Sequence, residues 1–270
     1  MNFLIQTLIF FALPLSAFAG ASDDPASPLA DAAEVRDWAL VNKLIAQGFD
    51  VKQSQPDGMT ALHWAVYHNH SATTKLLIDA KNDVNAATEY KVTPLSIACT
   101  HHETETVEML LQAGANVEFE APGGETPLMI AARTGNATAI RQLLKHGASH
   151  TAKEKRGQTA LMWAAAEGNV NAVDVLVTAG VDLNAVSSSG FTAMMFAARD
   201  GQIDVVRRLI AAGVDVNVAL ESKRTGDRSA RNGTSALIFA VESGHFELAL
   251  ELVAAGADPS DQRNRFCPLH

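Results

Sequence analysis

The sequence predicts an all-α solenoid, a stack of antiparallel helix pairs, and three observations in register predict it. A turn-to-helix tetrapeptide recurs every 33 residues: Ser27-Pro28-Leu29-Ala30, Thr60-Ala61-Leu62-His63, Thr93-Pro94-Leu95-Ser96, Thr126-Pro127-Leu128-Met129, Thr159-Ala160-Leu161-Met162 and Thr192-Ala193-Met194-Met195. A glycine follows the Ser or Thr after 21 residues in most units, at Gly48, Gly114, Gly147, Gly180, Gly213 and Gly256. Two places on stands a small polar residue: Asp50, Asp83, Asn116, Ser149, Asp182, Asp215 or Asp258. A fixed period of this length belongs to stacked repeats, in which each unit buries its apolar face on its neighbours.

The chain begins differently. Residues 1–19 carry no charged side chain, and Phe3 to Leu13 is nearly all apolar. Pro14 interrupts the run, and Ala17-Phe18-Ala19 has the small-x-small form of a cleavage site. The expectation is a signal peptide over 1–19, a short linker over 20–26 and an exported mature chain, periplasmic in a Gram-negative bacterium and otherwise secreted. The basic residue usual near the start is missing. A membrane anchor is the alternative, but the run is shorter than the ~20 residues a spanning helix needs.

Each unit opens with a helix. Its Ser or Thr is an N-cap, with Pro or Ala in the first helical position. Small pairs (Ala131-Ala132, Ala164-Ala165, Ala197-Ala198) allow close packing. Asn69, Gly135, Gly168, Gly201 or Gly244 then turns the chain, with His102 in that place in the third unit. The second helix carries apolar pairs at i, i+1, i+4 and i+5: Leu40, Val41, Leu44 and Ile45; Ala139, Ile140, Leu143 and Leu144; Val205, Val206, Leu209 and Ile210. That spacing paints one helical face. The second unit has Thr73-Thr74 there and Lys81 in place of the closing glycine, which predicts the loosest full unit. Between units a loop turns on Gly58, Gly124, Gly157, Gly190 or Gly233, with Lys91 the departure.

The next tetrapeptide, Ser235-Ala236-Leu237-Ile238, comes 43 residues after Thr192, so ten residues are inserted over about 221–232. Lys223, Arg224 and Arg228 make the insertion basic in a chain of net charge −9. Long polar loops of this kind are either functional or tolerated. Cys267-Pro268-Leu269-His270 begins an eighth unit over 265–270. Asp31, Glu34, Arg36 and Asp37 read as a solvent-facing cap on the first helix, whereas the last unit has no counterpart.

The period, the T-[PA]-L start and the G-[AV]-D-V-N finish resemble the ankyrin repeat. The resemblance covers 27–270, with units starting near 27, 57, 90, 123, 156, 189 and 232. It implies an ankyrin-repeat solenoid of paired antiparallel helices with β-hairpin loops, about seven repeats plus the start of an eighth. It implies too that His63, in T-A-L-H, bonds within the turns.

Chemistry-bearing sets are sparse. His68, His70, His101 and His102 lie in equivalent regions of two units, but no Cys, Asp or Glu is fixed to complete a metal site, and surface histidines are the commoner outcome. Cys99 reads as a buried thiol. Met129, Met162 and Met195 recur at one position, and Trp64, Trp163, Phe196 and Phe239 at the next; packing between units is the ordinary use of both. The acidic balance disfavours nucleic acid or an anionic membrane as partner. No metal, cofactor or enzymatic activity is expected. The resemblance implies a protein-interaction scaffold using a concave groove and hairpin tips. Its candidate anchors are Tyr67, His68, Tyr90, His101, Arg133, Arg156, Phe191 and Arg199, of the residue types that dominate interfaces. Two other readings stand beside it: the recognition half of a longer protein carrying further repeats or an enzyme or redox domain, and self-association through the uncapped C-terminal end.

Overall fold

The computed structural model describes residues 27–102, 104–220 and 233–260, and in it each tetrapeptide of that span opens a helix. Seven helix pairs follow in order: α1 (Pro28–Glu34) and α2 (Trp38–Ala46), α3 (Ala61–Tyr67) and α4 (Ser71–Asp79), α5 (Pro94–Thr100) and α6 (Thr104–Gln112), α7 (Pro127–Thr134) and α8 (Ala137–Lys145), α9 (Ala160–Ala166) and α10 (Val170–Thr178), α11 (Ala193–Arg199) and α12 (Ile203–Ala211), α13 (Ala236–Glu242) and α14 (Phe246–Ala254). The signal peptide, the linker, the basic insertion with Lys223, Arg224 and Arg228, and the Cys267 tetrapeptide lie outside the described residues.

The caps follow the sequence with one correction. Thr60, Thr93, Thr126, Thr159 and Thr192 each accept a hydrogen bond from the backbone N–H three residues on. Such a cap is worth about 1 kcal/mol. Ser27 and Ser235 make no such bond; the Ser27 hydroxyl donates instead to the Gln53 carbonyl at 3.3 Å. His63 behaves as the resemblance implies. Its Nδ1 accepts from Thr60 N at 3.2 Å, so Nε2 carries the proton it shares with the Val92 carbonyl at 3.1 Å. The ring thereby ties one hairpin to the next unit.

First helices pack on first helices, and second helices on second, along the array; the first-helix layer is the more closely packed, so the stack bows towards it. Leu62, Leu95, Leu128 and Leu161 are essentially fully buried in that layer, each worth about 1.5–3 kcal/mol. The methionine row is core, with Met129, Met162 and Met195 at 1–2% exposure. In the second-helix layer Val41, Val107, Ile140, Val173 and Val206 occupy one buried position, and Thr74 is the hydroxylated exception.

Two readings of the first unit are corrected. Arg36 and Asp37 are not on the first helix: Arg36 is the turn residue, at φ 63°, and Asp37 caps α2 by accepting from Leu40 N. Leu40 is exposed, although its equivalents Thr73, Ala139, Val205 and Leu248 are buried. That position faces the preceding unit, and no described unit precedes the first. At the other end Phe246, Leu250 and Val253 leave an i, i+4, i+7 apolar stripe exposed on α14.

The loops are hairpins without strands among the described residues, apart from isolated bridges Ser54–Thr60 and Ala219–Ser235. The second bridge, with Leu220 N donating to Thr234 O at 2.8 Å, closes the base from which residues 221–232 leave. Successive tips are joined by backbone bonds: Glu89 N to Asp57 O at 3.0 Å, Lys155 N to Gly123 O at 3.0 Å, and Ser188 N to Arg156 O at 2.8 Å. The equivalent donor at the remaining described junction is Pro122, which has no N–H.

Candidate protein-binding groove

The bowed first-helix face is floored by the aromatic row and banked by the hairpin tips on one side and the first-helix ends on the other. Phe196 is buried in this floor, while Trp64, Trp163 and Phe239 are half-buried. Inter-unit packing therefore accounts for only part of that row.

Three composite anchors emerge. At the N-terminal end, Tyr67 meets Trp64 edge-on at 5.7 Å between centroids and His101 at 5.3 Å. Near the middle, the Arg133 guanidinium lies 5.6 Å from the centroid of the Trp163 ring. Towards the C-terminal end, Phe191 packs on Phe196 at 5.2 Å and Phe239 at 4.9 Å, with Arg199 over both Phe191 and Phe196. Arg199 is also bound to both oxygens of Asp200 at 2.7–2.8 Å, which occupies much of its donor capacity. Tyr90 and Arg156 project from separate tips and are exposed; Tyr90 is 68% exposed.

His68 is already committed. Its Nδ1 accepts from Arg36 Nε at 3.0 Å and its Nε2 faces the Glu34 carbonyl at 3.0 Å. Burial, then the Arg36 charge, push its pKa down against the opposing pull of Glu34 and its carbonyl. Neither ring nitrogen is free for a metal, and among the described residues no group of three or more His, Cys, Asp or Glu side chains converges. His70 Nδ1 caps α4 through Thr73 N, and its ring stacks on Trp38 at 4.4 Å. Sequence reasoning missed Trp38; its partner lies 32 residues away, and the signal was an aromatic at the repeat position just after His70's equivalent, Asp37. Cys99 is fully buried, which pushes its thiol up to about 12.

The hairpins hold their shape by a device the sequence reading did not find. Thr88 Oγ1 accepts from Val92 N at 3.0 Å, and Ser187 Oγ from Phe191 N at 3.1 Å. Glu154 stands at the same position: its buried carboxylate accepts from Arg156 N and Gln158 N, both at 2.9 Å. Gln55, at the same position, instead accepts from Trp64 Nε1 at 2.7 Å. With Glu154 turned to its own hairpin, Trp163 Nε1 is buried without an acceptor.

No helix among the described residues is long and apolar enough to cross a membrane. No curated protein matches the chain significantly. The family model for ankyrin repeats matches three times, over residues 29–121, 114–187 and 182–263. Those matches span nearly all of the array, with the period, the threonine caps and the hairpin stack behind them: the chain belongs to the ankyrin-repeat family.

Proposed function

We propose that the chain is an extracytoplasmic scaffold that holds an extended segment of another protein in the bowed groove. Ankyrin repeats in general mediate protein–protein interaction. The observation that carries the reading here is the line of composite anchors: Tyr67 on Trp64, Arg133 on Trp163 and Arg199 on Phe191. Part-exposed aromatic and guanidinium groups, fixed by stacking, are the material of binding hot spots. A groove rigid before binding loses little entropy on complex formation. Tyr67, Trp64, Trp163 and Phe191 pack against the core with one side only and are part-buried, unlike the leucines and alanines beneath them. The role is one of recognition rather than catalysis.

A photo-crosslinking residue at Phe191 or Tyr90 tests this against one at Asn171, which is exposed on α10. Crosslinks to a partner from the first two sites and not the third are expected; the reverse pattern removes the groove. Export rests on residues 1–19 alone, and mass spectrometry of the mature chain checks it, with Gly20 the expected first residue.

The apolar stripe of Phe246, Leu250 and Val253 supports a second reading, self-association through α14. Mass measured across concentration decides it: a constant monomer mass ends that reading.

A further inference from the structure

The charge on the groove changes sign part-way along. Asp57 and Glu125 stand on two of the earlier tips, with Glu89 and Lys91 together on the tip between them, whereas Lys155 and Arg156 stand on the next. Arg133 stands on the facing bank, over Trp163. Arg199, Arg207 and Arg208 are each paired with a carboxylate; among the described residues Arg133, Lys155 and Arg156 are in no such pair.

Arg133, Lys155 and Arg156 leave donors at this spot, with Glu125 and Glu167 as acidic side chains of the same two units. A stacked guanidinium keeps its N–H groups in its own plane, at the edges of the stack. The nearby acidic side chain, Glu154, has turned both oxygens onto hairpin N–H groups. Trp163 Nε1 also lacks an acceptor, but it is buried and not part of the donor surface. A surface that offers fixed donors and positive charge, within a chain of net charge −9, is complementary to carboxylates.

We propose that the fourth and fifth units receive an acidic segment of the partner protein, with one carboxylate on Arg133 and another on Arg156 and Lys155. The proposal rests on the groove reading and narrows it. Asp57 and Glu125, on tips ahead of Arg156, repel the same segment, so the charge order sets its register and direction.

Fluorescence anisotropy with labelled hexaglutamate and hexalysine peptides, titrated with the whole mature chain, tests this. Hexaglutamate binds, and its affinity falls on raising salt from 50 to 300 mM. Changing Arg133 and Arg156 to Gln together weakens it by roughly tenfold per guanidinium, the scale of a charge-assisted hydrogen bond. Arg141→Gln with Lys145→Gln, on the second-helix layer, leaves affinity unchanged at equal net-charge change. Hexaglutamate binding no tighter than hexalysine, or unchanged affinity in the Arg133/Arg156 variant, overturns the proposal. If crosslinks from Phe191 persist while hexaglutamate fails, the acidic segment falls and the groove stands; if the crosslinks are also absent, both fall.

Discussion

Arg36 Nε donates to His68 Nδ1 at 3.0 Å, across the junction of the first two units. The bond fixes the neutral tautomer that presents Nε2–H to the Glu34 carbonyl. Protonation of His68 would aim a donor at a guanidinium. His63 is bound in the same sense, Nδ1 accepting and Nε2 donating, and burial pushes its pKa down to about 4. A base whose pKa is depressed on folding stabilises the fold in its neutral form. That stability is complete above the ordinary value of 6.5 and is lost as pH falls from there towards the folded value. The His63 shift is worth about 3 kcal/mol over the full window, most of it His63's burial. Urea midpoints between pH 7.5 and 5 should therefore fall by about 2 kcal/mol equivalent. His63→Gln should flatten much of that slope, and His68→Gln a smaller part.

Thr74 is fully buried, and its hydroxyl has no hydrogen-bond partner. Valine has the same shape without the desolvated oxygen and already fills the equivalent positions 41, 107, 173 and 206. Thr74→Val should stabilise the array by about 1–2 kcal/mol, the cost of an unsatisfied buried hydroxyl. A raised urea midpoint with an unchanged slope is the expected result.

Lys81, Lys91 and His102 sit at φ 65°, 56° and 62°, in places that most other units give to glycine. The left-handed conformation costs a side-chain-bearing residue about 1–2 kcal/mol, which glycine's greater unfolded entropy partly offsets. Each single change to glycine should raise stability by about 0.5–1 kcal/mol. Hydrogen exchange should become slower in α4, α5 and α6, the helices these turns adjoin.

Gly147 and Gly157 separate conformation from space. Both have positive φ, but a Cβ on Gly147 meets nothing within 4 Å, whereas one on Gly157 falls 2.8 Å from Ser188 N. Gly147→Ala should cost about 1 kcal/mol. Gly157→Ala should cost clearly more, because Ser188 N must move off the Arg156 carbonyl it binds. Equal thermal midpoints for the two variants would contradict this account.

The repeat made most of the fold legible, because one rule written in seven registers exposes each exception. Lys81, Lys91 and His102 stood out as residues in glycine places, and the structure gives all three positive φ. Thr73 and Thr74 stood out equally, but their burial does not follow from a polar pair in sequence. Pairings between side chains some 30 residues apart were not legible, Arg36 with His68 and Trp38 with His70, nor was the choice of Glu154 for its own hairpin rather than Trp163. These depend on rotamers that neighbouring units impose. The candidate anchors stood out as positions that the repeat pattern leaves open, while their grouping into three composites, and the commitment of His68 and Arg199 to intramolecular bonds, depend on how neighbouring units pack.

Pro122 withholds the backbone bond that links tips at the neighbouring described junctions. Mechanically, the hairpin edge is a tie-bar cut at one point, with the junction held at the helix-end side by Thr134 Oγ1 on the Cys99 carbonyl. Among the described tip junctions from the second unit to the sixth, stiffness along that edge is lowest there, so bending strain collects between the third and fourth units. The array is two plates with a crease between them, and the crease falls between the tips bearing Asp57 and Glu89 and the one bearing Arg156.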